Sequence, residues 1–146
     1  MRTRLVVSAA VLAVAALALF VPMALSAPQG PVFASLNGQN EIPDADPDGL
    51  GSFSAIVDGD QFCYGLTATN IDTPTAAHVH KGNSGRNGGI VIGLTPPATG
   101  DPGASSACVT ADTALLQDIL NNPSQYYVNV HNATFPGGAI RGQLGR

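Results

Sequence analysis

Residues 51–69 alternate apolar and polar side chains on both sides of Asp58-Gly59-Asp60. Before the turn, Phe53, Ala55 and Val57 alternate with Ser52, Ser54 and Ile56. After it, Phe62, Tyr64 and Leu66 share one face and Cys63 takes the other. Successive side chains of a strand point to opposite faces, so each run carries one apolar and one polar face. Asp-Gly supplies the positive-φ positions that tight hairpin turns demand. An isolated hairpin is marginal in water, so further strands must cover its apolar face.

Those strands are found along the rest of the chain. Residues 32–36, 76–81, 90–94, 107–109, 126–131 and 139–144 read as short strands, rich in β-branched or small apolar residues. Between them, 41–50, 82–89 and 95–105 are dense in Gly, Pro, Asn and Asp and read as loops. One helix is expected near 112–121. Thr110 or Asp112 caps it, Leu115, Leu116, Ile119 and Leu120 form its apolar stripe, and Asn121-Asn122-Pro123 stops it. Many short strands with one brief helix predict an all-β fold, an antiparallel Greek-key β-sandwich or barrel.

The 146 residues suit one domain once the N-terminus is set aside. Arg2 and Arg4 precede an apolar run over 5–20, followed by Pro22 and Ala24-Leu25-Ser26-Ala27. That order is expected of a secretory signal peptide over 1–27, leaving a domain over 28–146. The alternative is a retained membrane anchor, since 5–25 is long enough to span a bilayer. The protein is therefore expected to be secreted or held in the cell envelope, with an extracellular or envelope partner.

Beyond the leader, ten acids face four bases, Lys81, Arg86, Arg141 and Arg146. Such an acidic chain lacks the basic footprint of nucleic-acid binding. No basic amphipathic stretch points to a lipid surface. Six acids fall in 41–60, a region read as a solvated loop; the spacing of Asp44, Asp46 and Asp48 lacks the rest of a calcium loop. Cys63 and Cys108 are an even pair in an exported chain, which predicts one disulfide.

All three histidines lie in two of the expected strands, Ala76-Ala77-His78-Val79-His80-Lys81-Gly82 and Tyr127-Val128-Asn129-Val130-His131. His78 and His80 share a face, and Val79 takes the other. Asn129 and His131 likewise lie opposite Val128 and Val130. With the valines inward, three imidazoles stand on the outer side of one sheet, with Arg141 near His131. An all-imidazole set suits copper or zinc. The competing reading is an extracellular protein- or glycan-binding module, in which the histidines and Arg141 only hydrogen-bond covering loops. No catalytic constellation is recognisable; no serine sits in Gly-x-Ser-x-Gly.

The first histidine segment with its Gly-rich continuation, and the stretch Tyr127-Val128-Asn129-Val130-His131-Asn132-Ala133-Thr134-Phe135-Pro136-Gly137-Gly138-Ala139-Ile140-Arg141-Gly142-Gln143-Leu144, resemble the CHRD domain. That domain is named from chordin and also occurs alone in exported bacterial proteins. Leu36-Asn37-Gly38-Gln39-Asn40-Glu41-Ile42-Pro43 fits the family's opening motif, and Ala139 departs from its usual acidic residue. The resemblance implies a secreted β-sandwich and no settled activity. A more local likeness is to Cu/Zn superoxide dismutase, which also holds copper with a His-Val-His strand, a later Val-His strand and a nearby arginine. His78, His80, His131 and Arg141 match those positions. The bridging histidine and a zinc subsite are missing, so the likeness does not extend to that enzyme's activity.

Overall fold

A computed structural model describes residues 30–146, and the expected leader, 1–27, lies outside the described residues. Eight strands form: β1 Val32–Asn37, β2 Leu50–Asp58, β3 Gln61–Thr69, β4 Pro74–Lys81, β5 Gly89–Leu94, β6 Gly103–Thr110, β7 Tyr126–Asn132 and β8 Ile140–Gln143. They make one antiparallel sheet in the order β5-β4-β7-β8-β1-β2-β3-β6. The two layers expected of a sandwich are thus halves of one sheet curled towards a barrel. Its free edges meet at the β5–β6 connection. There the backbone N–H of Thr95 donates to the Tyr64 hydroxyl, and Ser105 Oγ donates to the Thr95 carbonyl.

The inward face is the one the alternation marks. Val32, Leu36, Phe53, Phe62, Leu66, Val79, Val128, Val130 and Ile140 are all buried in one core. The hairpin turns at Gly59, φ 63°, with Asp58 paired to Gln61. The helix α1, Thr113–Asn121, is capped by Asp112, whose carboxylate accepts from the Leu115 N–H. Leu116, Ile119 and Leu120 close the core from it. Its Asp118 holds Lys81 at 2.8 Å, an exposed pair that contributes little.

β6 begins at Gly103, inside a stretch expected to be loop. None of its residues is buried, and Gly-Ala-Ser-Ser carries no strand signature. Its place comes from pairing with β3, register Cys63 to Cys108. Those two cysteines form the expected disulfide across the pair. Thiol titration of the unfolded, unreduced protein should find no free thiol; two would refute the bridge.

The outer side of the β4-β7-β8 segment is not bare. Nearly every residue of β7 and β8 is buried, on both faces. Three connections roof it: 38–49, 82–89 and 133–138. The roof lies close at Gly88, where a β-carbon would stand 1.7 Å from the Lys81 carbonyl oxygen. Asn87 Nδ2 donates to the Ile42 carbonyl, tying two of the connections together.

Candidate metal centre

Register places Asn129 at the middle of the roofed face. It pairs with His78 on β4 and with Arg141 on β8. His131 and Tyr127 are its same-face neighbours along β7, and His80 pairs with Tyr127. The pleat therefore gathers all three imidazoles, expected from two sequence-distant strands, around one asparagine.

The three rings are close. His78, His80 and His131 each offer a nitrogen, and these lie within 4.8 Å of one another, the one such group of potential ligands among the described residues. His78 Nδ1 is 3.1 Å from His131 Nε2. Asn129 Oδ1 is 3.0 Å from both His80 Nε2 and His131 Nε2. The far side of two rings faces backbone. His80 Nδ1 lies 2.9 Å from the Gly88 carbonyl, and His131 Nδ1 lies 3.1 Å from that of Pro136. A carbonyl only accepts, so each Nδ1 carries the proton. In the neutral rings both Nε2 lone pairs then point to the centre. His80 is buried, whereas His78 and His131 are half-buried and open the cluster to solvent.

Electrostatics favour neutral rings. Burial, with the neighbouring imidazoles, holds His78 below the ordinary histidine range. Burial also lowers His131, although its bond to the Pro136 carbonyl opposes this.

Arg141 is 1 % exposed. It donates to Asn87 Oδ1 at 3.1 Å and to the carbonyls of Asn83 and Arg86 at 3.3 and 2.7 Å. Its plane lies 3.4 Å from the Tyr127 ring centre. The His80 ring stacks on the same tyrosine, 4.7 Å between centres and 4° between planes. Arg141 thus pins the 82–89 roof that supplies His80 with its carbonyl.

Alternation puts Tyr127, the platform just described, on the same face as Asn129 and His131, but one participant escapes it. Glu41 belongs to a stretch read as solvated loop, yet it is 5 % exposed. Asn129 donates to its carboxyl, while its Oε1 has no partner. Burial pushes its pKa up to about 7, against the lowering charge of Arg141 and the Asn129 bond. Gly138, φ 137°, makes room for it, since a β-carbon there would stand 2.1 Å from Oε1. The one signal for Glu41 is its place in the opening motif. Asp46, of the acidic trio, is buried as well, with Oδ1 accepting from the Gly49 N–H.

Fold and site together define an antiparallel, nearly closed β-barrel with a roofed histidine cluster on its outer face. The family model of the CHRD domain matches residues 32–144, and the chain belongs to that family. Neither the curated proteins nor the solved structures compared contain a match.

Proposed function

We propose that this CHRD-domain protein is an exported metal-binding module, in which His78, His80 and His131 hold one copper or zinc ion. The observation that carries the reading is the pair of backbone carbonyls at Gly88 and Pro136. Ligating histidines characteristically give their other ring N–H to such an acceptor, which fixes the tautomer and aims the lone pair. Here two of three rings are fixed that way, and both lone pairs meet. All-imidazole donors suit copper(II) or zinc(II). Export rests on the leader-like segment 1–27, and the disulfide agrees with an oxidising compartment. Among the described residues no helix is long and apolar enough to cross a membrane.

The competing reading makes the cluster a structural one inside a binding module. It is favoured by the His80–Gly88 bond and the Arg141 contacts, which by themselves hold down the roof. Titration calorimetry with copper(II) and zinc(II), on untagged wild type and on His78→Ala, His80→Ala and His131→Ala, separates the two. One ion per chain is expected in wild type, with at least about 100-fold weaker binding in each variant. Binding should also weaken as acid protonates the rings. Equal, weak binding in all four proteins would leave the structural reading.

A further inference from the structure

We infer that Asn129 Oδ1 is a fourth ligand to the ion and that Glu41 is the residue that aims it; this rests on the three-histidine reading. The argument begins with the hydrogen-bond inventory. His80 and His131 spend their N–H groups on the Gly88 and Pro136 carbonyls. Each Nε2 is then a lone pair, and Asn129 Oδ1, also an acceptor, stands 3.0 Å from both. His78 Nδ1, 3.1 Å away, donates to His131 Nε2 in the metal-free cluster, but His80 Nε2 and Asn129 Oδ1 still face each other with no proton between them. Two such acceptors repel unless something electron-deficient lies between them. A cation satisfies both and takes the place of the His78 proton.

The spacing is near what coordination needs. First-row ions sit about 2.0–2.2 Å from nitrogen and oxygen ligands, which sets square-planar neighbours about 3 Å apart and tetrahedral ones about 3.4 Å apart. The three histidine nitrogens lie within 4.8 Å of one another and would draw in slightly around an ion. The separations here are 3.0, 3.0 and 3.1 Å, the last between His131 Nε2 and His78 Nδ1. Three nitrogens and one amide oxygen make a set of four.

An asparagine amide can turn over and present its NH2 to the imidazoles instead. Glu41 decides which way it stands. Its carboxyl accepts the Asn129 N–H on the side away from the rings. Turning the amide would set Oδ1 against an acceptor whenever the carboxyl is ionised. Glu41 is buried and touches none of the three imidazoles in any hydrogen bond among the described contacts, so it acts through Asn129. Such supporting partners are worth about 10–100-fold in metal affinity.

The test uses zinc(II) with wild type, Asn129→Leu, Glu41→Leu and Glu41→Gln. In zinc-loaded wild type, the side-chain 13Cγ resonance of Asn129 should move downfield as coordination polarises the carbonyl. Zinc affinity should fall about 100-fold in Asn129→Leu and about 10-fold in Glu41→Leu. Glu41→Gln should stay near wild type, because its amide oxygen still accepts from Asn129. An unmoved 13Cγ in loaded wild type refutes the fourth ligand, even if Asn129→Leu fails to fold. Equal affinities for Glu41→Leu and Glu41→Gln refute the aiming role. No zinc binding by wild type would instead fell the three-histidine reading, and this inference with it.

Discussion

Arg141→Leu should destabilise the folded protein by about 3–5 kcal/mol, the range for breaking a buried, hydrogen-bonded charge. Arg141 is the largest fully buried side chain among the described residues. Its loss removes the donor to three acceptors of the roof, those of Asn83, Arg86 and Asn87, of which the Asn83 carbonyl keeps the Arg86 N–H. It also removes the stack on Tyr127 and the positive charge that favours ionised Glu41. Leucine fills part of the volume but offers no donor. Arg141→Lys should fall between, because an ammonium keeps the charge without the planar fork. Arg86→Leu is the control: its side chain is exposed and its contacts to the roof are made by its backbone, so about 0.5 kcal/mol or less is expected. Urea unfolding at pH 7 measures all three. A loss under about 1 kcal/mol for Arg141→Leu would mean that the roof is held from elsewhere.

Metal-free wild type should lose stability between pH 5 and pH 8, and Glu41→Gln should not. The carboxyl titrates near 7 in the folded protein against 4.5 ordinarily. The folded state therefore holds this proton more tightly than the unfolded chain. Its contribution is complete below pH 4.5 and is lost as pH rises through 7, by about 3 kcal/mol. His78 and His131 act in the opposite sense. Their pKa values are lowered, so their contribution is complete above 6.5 and is lost as pH falls. Glu41→Gln removes the first trend and leaves the second. At pH 8 it should exceed wild type by about 3 kcal/mol, and near pH 4.5 the two should be close. Chelator-treated samples followed by thermal or urea unfolding give the comparison. Parallel curves for the two proteins would show that Glu41 does not carry the dependence.

Much of this architecture can be read from residue order because one face of each long strand is buried. Phe53, Ala55, Phe62, Tyr64 and Leu66 declare their face two residues at a time, and β3 is bounded as the alternation predicts. The same parity puts His78, His80, Asn129 and His131 on one side. Only 107–109 of β6 is legible, where Ala107 and Val109 pack against the core; its first half, Gly103 to Ser106, owes its strand character to the β3 partner. Parity also says nothing of what covers a face. The outward side of β7 looks solvent-facing until the roof is counted, and the roof is long-range: Arg141 reaches back over fifty residues to Asn83, Arg86 and Asn87. Glu41 stays hidden for a related reason. A glutamate beside Ile-Pro in an acidic stretch has the composition of a surface, and only Gly138, far along the chain, gives it a buried berth.

The four-residue strand β8 alone joins β5-β4-β7 to β1-β2-β3-β6 in the sheet order. It is also the last of the eight strands in chain order. Without Ile140–Gln143, the chain holds two half-sheets with unpaired edges. The histidines of β4 and β7 can still lie side by side, but nothing brings Glu41, attached to the β1 half, to Asn129. If the histidines hold an ion as proposed, tight capture needs β8 in place: a chain truncated before Ile140 would keep all three imidazoles but leave two open sheet edges and lose the Glu41 support.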